Sequence, residues 1–321
     1  MKILAVDDNP FILDFLPAVL RQANFTDISV APSGREALDI LAATDRPFDC
    51  LLLDIVMPDM DGITLCREIR KLAAYRNTPI IMLTLNTDAV SIEQAFVAGA
   101  NDYITKPFSV KDIVGRLRVA KRMWEKTDVA PRLNPYDMQS DSQPGLHKFA
   151  LRSPAFIEGV KQIVQPFSLG NYVSQLSRNH LDSCHIFAVR VEDIQNIYIH
   201  ATSREFAQVM AAVARSVSRV VNCPELLMTH YGNGTLLCVL NGDNVPDWPE
   251  IEDLVQDEVD SLSLTYEDGR EMPVAVTVGM PVHPNASRNQ RVKMTFERAI
   301  KRAATREKAK FDTYASESMA V

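Results

Sequence analysis

The chain has too few cysteines, too widely scattered, to be held together by disulfides. Its five (Cys50, Cys66, Cys184, Cys223 and Cys238) form no CxxC pair and leave an odd one over, which argues for a reducing compartment. It lacks any run of the about 18 apolar residues that a membrane span requires. The opening MKILAVDDNP carries too short an apolar run for a signal peptide, so the expected location is the cytoplasm. Positive charge is not in excess: 34 Lys and Arg stand against 41 Asp and Glu, a formal net charge of -7. That removes any general electrostatic reason to bind nucleic acid and leaves only a local basic face open. Internal repeats and low-complexity tracts are absent. What is present is an ordinary globular composition, 46% hydrophobic and 23% charged, over 321 residues, a length that suits two cores better than one.

The first third alternates short apolar runs with helical patterns. The runs Lys2–Val6, Ile28–Ala31, Cys50–Leu53, Ile80–Leu83 and Asp102–Thr105 predict strands that are largely apolar, as in a parallel sheet covered on both faces. Between them, Ala37, Leu38 and Leu41, or Ile63, Ile69 and Leu72, recur at helical spacing. Asn9 before Pro10 predicts a helix start, Ser33 with Glu36 a capping box, and Ser109 with Asp112 a weaker one. Pro17 lies inside the first helix and is expected to kink it. From about Lys126 to Lys148 the pattern collapses into a Pro-, Ser-, Asp- and Gln-rich stretch, the composition of a linker. Periodicity then resumes, with a broken helical stretch over Pro154–Leu181, a strand at Cys184–Val191 and a long helix at Ser203–Val221. Strands near Leu226–Thr229 and Thr235–Leu240 flank Tyr231–Gly234, a strong hairpin signal. A helix at Glu250–Leu262, a strand at Val274–Gly279 and a helix at Val292–Phe311 follow. This second domain is therefore α/β with an antiparallel element.

In a doubly wound sheet, ligands sit beyond the carboxyl ends of the strands. Asp7 and Asp8 end the first strand, Asp54 the third and Thr84 the fourth, and Lys106 follows the fifth. Three carboxylates from neighbouring strands repel one another, and unrelieved they would raise at least one pKa. Mg2+ relieves such a cluster, since it suits one or two carboxylates with phosphate and water. The constellation is that of phosphoryl transfer, in which a carboxylate attacks phosphorus while a metal, a lysine and a hydroxyl neutralise the equatorial oxygens.

The motifs LAVDDN, LLLDIVMPDMDG, IIMLT and DYITKPF, in that order, resemble the receiver domain of two-component response regulators over Lys2 to about Glu125. The resemblance implies a flavodoxin-like, doubly wound, five-stranded parallel sheet. It implies that Asp54 is the phosphoacceptor, that Asp8 and the backbone carbonyl of Val56 help Asp54 hold Mg2+, and that Asp7 acts on the ion through water. Thr84 and Lys106 would contact the phosphoryl oxygens, with Lys106–Pro107 in a cis peptide. Tyr103 would be an aromatic switch; the other possibility is a simple packed aromatic. Val56 and Asn86 border the path of attacking water in this family, and an apolar Val56 implies a long-lived phosphoryl group. Leu85 stands where the family has a small residue. A histidine kinase or phosphotransfer protein would be the donor, and the signalling face would carry Asp102, Asp112, Arg116, Arg118 and Arg122. A cross-subunit Asp102–Arg116 pair in a phosphorylation-dependent homodimer is one expectation for that face, and solvated charges are the other.

Over about Pro154–Tyr314 the element order resembles the GGDEF domain of diguanylate cyclases. PFSLGN, IFAVRVEDIQNI, VAVTVGMPV and AIKRAATREKAKF match family segments, and HYGNGTLLCVL falls on the signature hairpin. The residues that would carry the chemistry are missing. Arg190 replaces a metal-binding Asp, and a fixed cation repels the ions that two-metal transfer needs. Gly234 and Thr235 replace the acidic signature pair, and Asn233 replaces a glycine. Tyr198 and Ala207 replace the guanine-reading pair, while Asn222 and Glu225 replace the inhibitory RxxD motif. Glu192 keeps one carboxylate. His180, His185, His200, His230 and His283 show no metal-ligand spacing. The basic residues of the last helix, Arg291 to Lys310, suit either a solvated face or an acidic partner.

The expectation is a receiver at 1–125, a linker at 126–150, a degenerate GGDEF-like output domain with a mixed or antiparallel sheet at 151–315, and a tail at 316–321. The output domain would act as an interaction or dimerisation module toward an unknown protein partner, not as an enzyme. The alternative is an active or atypical cyclase converting GTP to cyclic di-GMP. No membrane contact is expected. No helix-turn-helix candidate supports DNA binding.

Overall fold

The structure, a computed structural model, describes residues 1–85, 89–125, 130–136, 143–176, 181–242, 248, 250–284 and 291–318. Asn86 and His180 lie outside the described residues. The chain divides between Val129 and Ala130 into two compact units. Among the described residues no helix is long and apolar enough to cross a membrane.

The first unit is a five-stranded, all-parallel sheet in the order β2-β1-β3-β4-β5. Its strands are β1 (Lys2–Val6), β2 (Asp27–Ala31), β3 (Cys50–Asp54), β4 (Ile80–Thr84) and β5 (Asp102–Thr105). They alternate with α1 (Pro10–Gln22), α2 (Gly34–Ala43), α3 (Gly62–Lys71), α4 (Ala89–Ala98) and α5 (Val110–Glu125). β3 and β4 are buried at every position because helices cover both faces. One face packs Ile3, Leu52, Leu83 and Ile104 against Leu16, Leu20 and Leu117. Helix starts follow the cap chemistry. The Asn9 side chain accepts from Phe11 N at 3.0 Å and Ser33 Oγ from Glu36 N at 3.2 Å. Ser109 and Asp112 make both bonds of a reciprocal box, at 3.2 Å and 3.1 Å. α1 continues through Pro17 as one helix.

The second unit is built on a four-stranded antiparallel sheet, β11-β8-β10-β9. Its strands are β8 (Cys184–Val191), β9 (Leu226–His230), β10 (Thr235–Asn241) and β11 (Val276–Val278). The helices are α6 (Pro166–Gln175), α7 (Ile194–His200), α8 (Ser203–Val221), α9 (Glu250–Asp260) and α10 (Arg291–Ser318). α8 opens with a full capping box between Thr202 and Glu205.

Two expectations are corrected here. The polar stretch beginning at Lys126 is not a bare spacer where it is described. Arg132–Leu133 (β6) pairs in parallel with Phe156–Ile157 (β7), Arg132 bonds Glu158, and His147 stacks on Tyr198 at 4.0 Å between ring centroids. A few anchors suffice to dock a segment whose average composition is that of a linker. The helical stretch predicted over Pro154–Leu181 forms a helix only from Pro166. Before it the backbone is extended along β9, with Val164 N donating to Met228 O and Met228 N to Gln162 O.

The other edge of the sheet, β11, is closed by side chains. Gln256 Oε1 accepts from Val276 N at 2.8 Å and Glu252 Oε2 from Val278 N at 2.7 Å, while Lys310 Nζ donates to Val276 O at 3.1 Å. Occupied edge groups cannot template another strand.

His230, at the end of β9, is fully buried with neither ring nitrogen hydrogen-bonded. Burial disfavours the charged imidazolium and pushes its pKa down to about 4 from 6.5. Below the unfolded value the unfolded chain takes up a proton that the folded chain refuses, so this group makes stability fall as pH drops from about 6.5 toward 4. Urea unfolding at pH 7 and pH 5 is expected to lose roughly 2 kcal/mol more for the parent than for His230→Leu; equal losses would refute this assignment.

Candidate functional site

β1 and β3 are adjacent and parallel, with Val6 opposite Leu53, so Asp7 and Asp54 emerge side by side at the carboxyl end of the sheet. Asp7 and Asp54 are buried and Asp8 is exposed, and one carboxylate oxygen from each of the three lies within 4.8 Å of the others. Lys106 follows directly on the end of β5 and is joined to Pro107 by a cis peptide, and its backbone N–H is held by Thr84 O at 2.6 Å. Its ammonium reaches Asp7 Oδ2 at 2.7 Å and Asp54 Oδ1 at 2.6 Å. Asp7 is also fixed by Asn9 N, which donates to Oδ1 at 3.0 Å.

The electrostatics follow from this packing. Burial pushes the Asp54 carboxyl above its ordinary value and Lys106 pulls it down, while Asp7 and Asp8 push it up again, with a net rise. Burial alone would lower the Lys106 ammonium, but bonds to Asp54 and Asp7 leave it raised and charged. Three carboxylates against one ammonium leave two negative charges unbalanced, in an oxygen-rich cluster suited to a small hard dication.

Thr84 is buried at the end of β4, beside Thr105 of β5. Tyr103 sits on β5, two strands from β3. It is buried with its ring edge-on to Phe96 at 6.2 Å, and burial chiefly pushes its hydroxyl up to about 12. The Val56 side chain is 61% exposed and that of Leu85 69%. Asp102, read either as solvated or as pairing across subunits, is buried and bonded within its own chain: Oδ2 accepts from Arg116 Nη1 at 3.1 Å and Oδ1 from Tyr103 N at 2.9 Å. Burial of Asp102 makes a partner within the chain necessary.

Gly62 was not singled out from the sequence, yet it sets the site. A Cβ there would lie 2.0 Å from the Asp54 carbonyl oxygen, so α3 can start this close to the acceptor strand only without a side chain. Gly62 N donates to Ile55 O at 2.9 Å, and Asp61 caps the helix through Thr64 N at 2.6 Å. The sequence signal was the Asp-Gly pair closing LLLDIVMPDMDG.

In the second unit, several charged residues of the sheet and of α9 are paired with residues of α10. Arg190 bonds Glu307 at 2.5 Å and Thr235 Oγ1 at 3.0 Å. Glu192 accepts from Lys310 and from Thr277 Oγ1, each at 2.6 Å. Glu252 binds Arg306 at 2.7 Å and Lys310 at 3.3 Å, and although burial acts the other way these partners hold its pKa below the ordinary value. At the hairpin tip Gly232, Asn233 and Gly234 all have positive φ, and Asn233 N donates to Leu151 O at 2.7 Å. His185 and His283 lie 4.7 Å apart between ring centroids, and among the described residues the three aspartates of the first unit are the only metal-sized group.

Residues 3–118 match the family model of the response regulator receiver domain. The DNA-binding response regulator MtrA of Mycolicibacterium smegmatis is 39% identical over 140 residues, 44% of this chain and 58% of MtrA. The transcriptional regulatory protein SrrA of Staphylococcus aureus is 37% identical over 128 residues, 40% of this chain and 51% of SrrA. This chain thus spans about half the length of the curated relatives it matches. Among solved structures, the receiver domain of the sensor histidine kinase PA1611 from Pseudomonas aeruginosa, with magnesium coordinated in its active-site cleft, is 31% identical over 39% of this chain and 98% of its own, with a TM-score of 0.35.

Gly62→Ala is expected to lower stability by at least about 2 kcal/mol, because backbone must move to admit the methyl group. Gly115→Ala on α5, where a Cβ meets nothing within 4 Å, should be neutral or gain up to about 1 kcal/mol from helix propensity. Urea midpoints measured side by side check this, and equal midpoints would refute it.

Proposed function

With residues 3–118 a response regulator receiver domain, we propose that this protein is a two-component response regulator that accepts a phosphoryl group on Asp54 and signals through a catalytically silent, GGDEF-like second unit. The observation that carries the first part is the Asp7–Lys106–Asp54 cluster with Asp8 beside it. A free oxygen of Asp54 attacks phosphorus as the bond to the donor breaks, and the donor (the phosphohistidine of a kinase or phosphotransfer protein, or a small acyl phosphate) leaves with its electron pair. Lys106, already 2.6 Å from Asp54, turns its ammonium to a phosphoryl oxygen, and the Thr84 hydroxyl donates to another. The donor set fits Mg2+, held by Asp8, Asp54 and the Val56 carbonyl with Asp7 acting through water, and the ion would neutralise charge on the phosphoryl oxygens. Tyr103, at the base of the output face, would respond to movement of Thr84.

For the second unit, the strand order β11-β8-β10-β9 with two helices between β8 and β9 supports a GGDEF-like fold. The pairing of Arg190 with Glu307, and of Glu192 with Lys310, supports its silence. A cleft whose carboxylates already hold cations of the chain offers little to metal ions and a triphosphate. Its role is then contact with a protein partner, here left undefined, or with a second copy. DNA is not among the proposed partners.

Incubation with acetyl phosphate and Mg2+ is expected to leave a base-labile phosphoryl mark that disappears in Asp54→Ala and on chelation of the metal. A mark that survives loss of Asp54 would overturn the proposal. Val56→Glu places a polar group where an exposed valine borders the site, and the phosphoryl lifetime should shorten several-fold; an unchanged lifetime would remove Val56 from the account. With GTP and Mg2+ or Mn2+ no cyclic dinucleotide should form, and its appearance would show the second unit to be a cyclase.

A further inference from the structure

Between β6 and β7 the chain makes an excursion whose ends are tied together. β6 and β7 pair in parallel, and Arg132 bonds Glu158 beside them. Within the excursion, residues 143–152 form neither helix nor strand. Their exposure alternates: Leu146, Lys148, Ala150 and Arg152 are exposed, while His147, Phe149 and Leu151 are half-buried. None of residues 143–152 belongs to the buried core, whereas Leu133 before them and Ala155 and Ile157 after them do. The segment can therefore leave the surface while both flanks stay anchored.

The surface beneath it is built from α7, the start of α8 and the tip of the β9–β10 hairpin. Gly145 N donates to Ala201 O at 3.0 Å. The His147 ring stacks on Tyr198 at 4.0 Å between centroids, and both its nitrogens are bonded, Nε2 to Tyr198 O at 2.7 Å and Nδ1 to Ser203 Oγ at 3.0 Å. A carbonyl only accepts, so Nε2 carries the hydrogen. Two residues on, the Phe149 ring lies 5.4 Å from that of Phe206, and the Phe149 carbonyl accepts from the Tyr198 hydroxyl. Two residues further, Leu151 O accepts from Asn233 N at 2.7 Å. Gly232 admits the next carbonyl, since a Cβ there would lie 2.3 Å from Arg152 O. A ring stacked and hydrogen-bonded at both nitrogens, a second ring against an aromatic wall, and carbonyls met by fixed donors amount to recognition of a peptide by side chain and backbone together.

We propose that this surface is a peptide-binding groove and that residues 145–152 are its built-in occupant. Its ligand is a peptide segment of a partner protein that presents an imidazole, an aromatic ring two residues later and a backbone carbonyl two residues after that. The chain's own segment keeps the groove filled until such a peptide displaces it. The inference stands on the second unit alone and does not depend on phosphorylation of Asp54 or on a GGDEF-like fold.

The test uses the full-length protein and a fluorescent synthetic peptide of residues 143–153, followed by anisotropy. In the parent the tethered segment competes with the peptide at an effective concentration on the order of millimolar. His147→Ala with Phe149→Ala weakens the tethered segment, so the peptide should bind this double variant roughly tenfold or more tighter than it binds the parent. His147→Ala in the peptide should remove that binding, as should Tyr198→Ala added to the protein. Hydrogen exchange of the parent gives a reading without substitutions: the amides of residues 145–152 should exchange faster than those of β8 and α8, because the segment opens by itself. Equal binding to parent and double variant, no binding to the double variant, a double variant that fails to fold, or exchange of the segment only together with β8 and α8 would overturn the proposal.

Discussion

The first unit depends on an electrostatic problem that its own residues solve only in part. Asp7 and Asp54 are both buried, and burial of an unpaired carboxylate is far too costly to leave to the protein interior. Lys106 reaches both at hydrogen-bond distance, and the surrounding architecture exists to keep it there. Parallel pairing of β1 with β3 sets the two carboxylates side by side. The Thr84 carbonyl clamps the lysine backbone, and a glycine at position 62 lets α3 start against the acceptor strand. Asp8 adds a third charge that no ion pair among the described residues offsets, so the cluster remains short of positive charge. That shortfall allows the site to take a metal and then a phosphoryl group without rebuilding itself.

The second unit treats the same kind of charge in the opposite way. Arg190, Glu192 and Glu252 are each matched by Glu307, Lys310 or Arg306 from α10. The sealed β11 edge has the same character, with side chains of α9 and α10 taking the places of a neighbouring strand.

The parallel sheet was legible in the sequence because its central strands β3 and β4 are buried on both faces and read as unbroken apolar runs. The runs ending in Asp7, Asp54 and Thr84 appear as strands within a residue of their expected bounds. The acidic cluster was equally legible, since strand ends of a doubly wound sheet converge by topology. Three features were not. Gly62 matters through the nearness of a backbone oxygen, and such nearness leaves no mark on composition. The stretch after Lys126 looks like a spacer because Pro, Ser and Asp dominate its average, whereas Leu133 and His147 decide its placement. Asp102 reads from the sequence as a surface charge, solvated or paired across subunits, whereas it is buried beside Arg116 of the same chain, a proximity that only packing reveals. Local pattern reveals elements, and only packing reveals which side chains bear the charge.

The central claim is that the pocket of Asp7, Asp8 and Asp54 carries negative charge that Lys106 offsets incompletely and that a divalent cation completes. Calorimetric titration of the full-length protein with Mg2+ at neutral pH tests this most directly. One saturable site is expected per chain, weaker in Asp8→Ala and tighter in Lys106→Met, because the first variant removes a ligand and the second removes a competing cation. Absence of saturable binding, or weaker binding once Lys106 is gone, would contradict it.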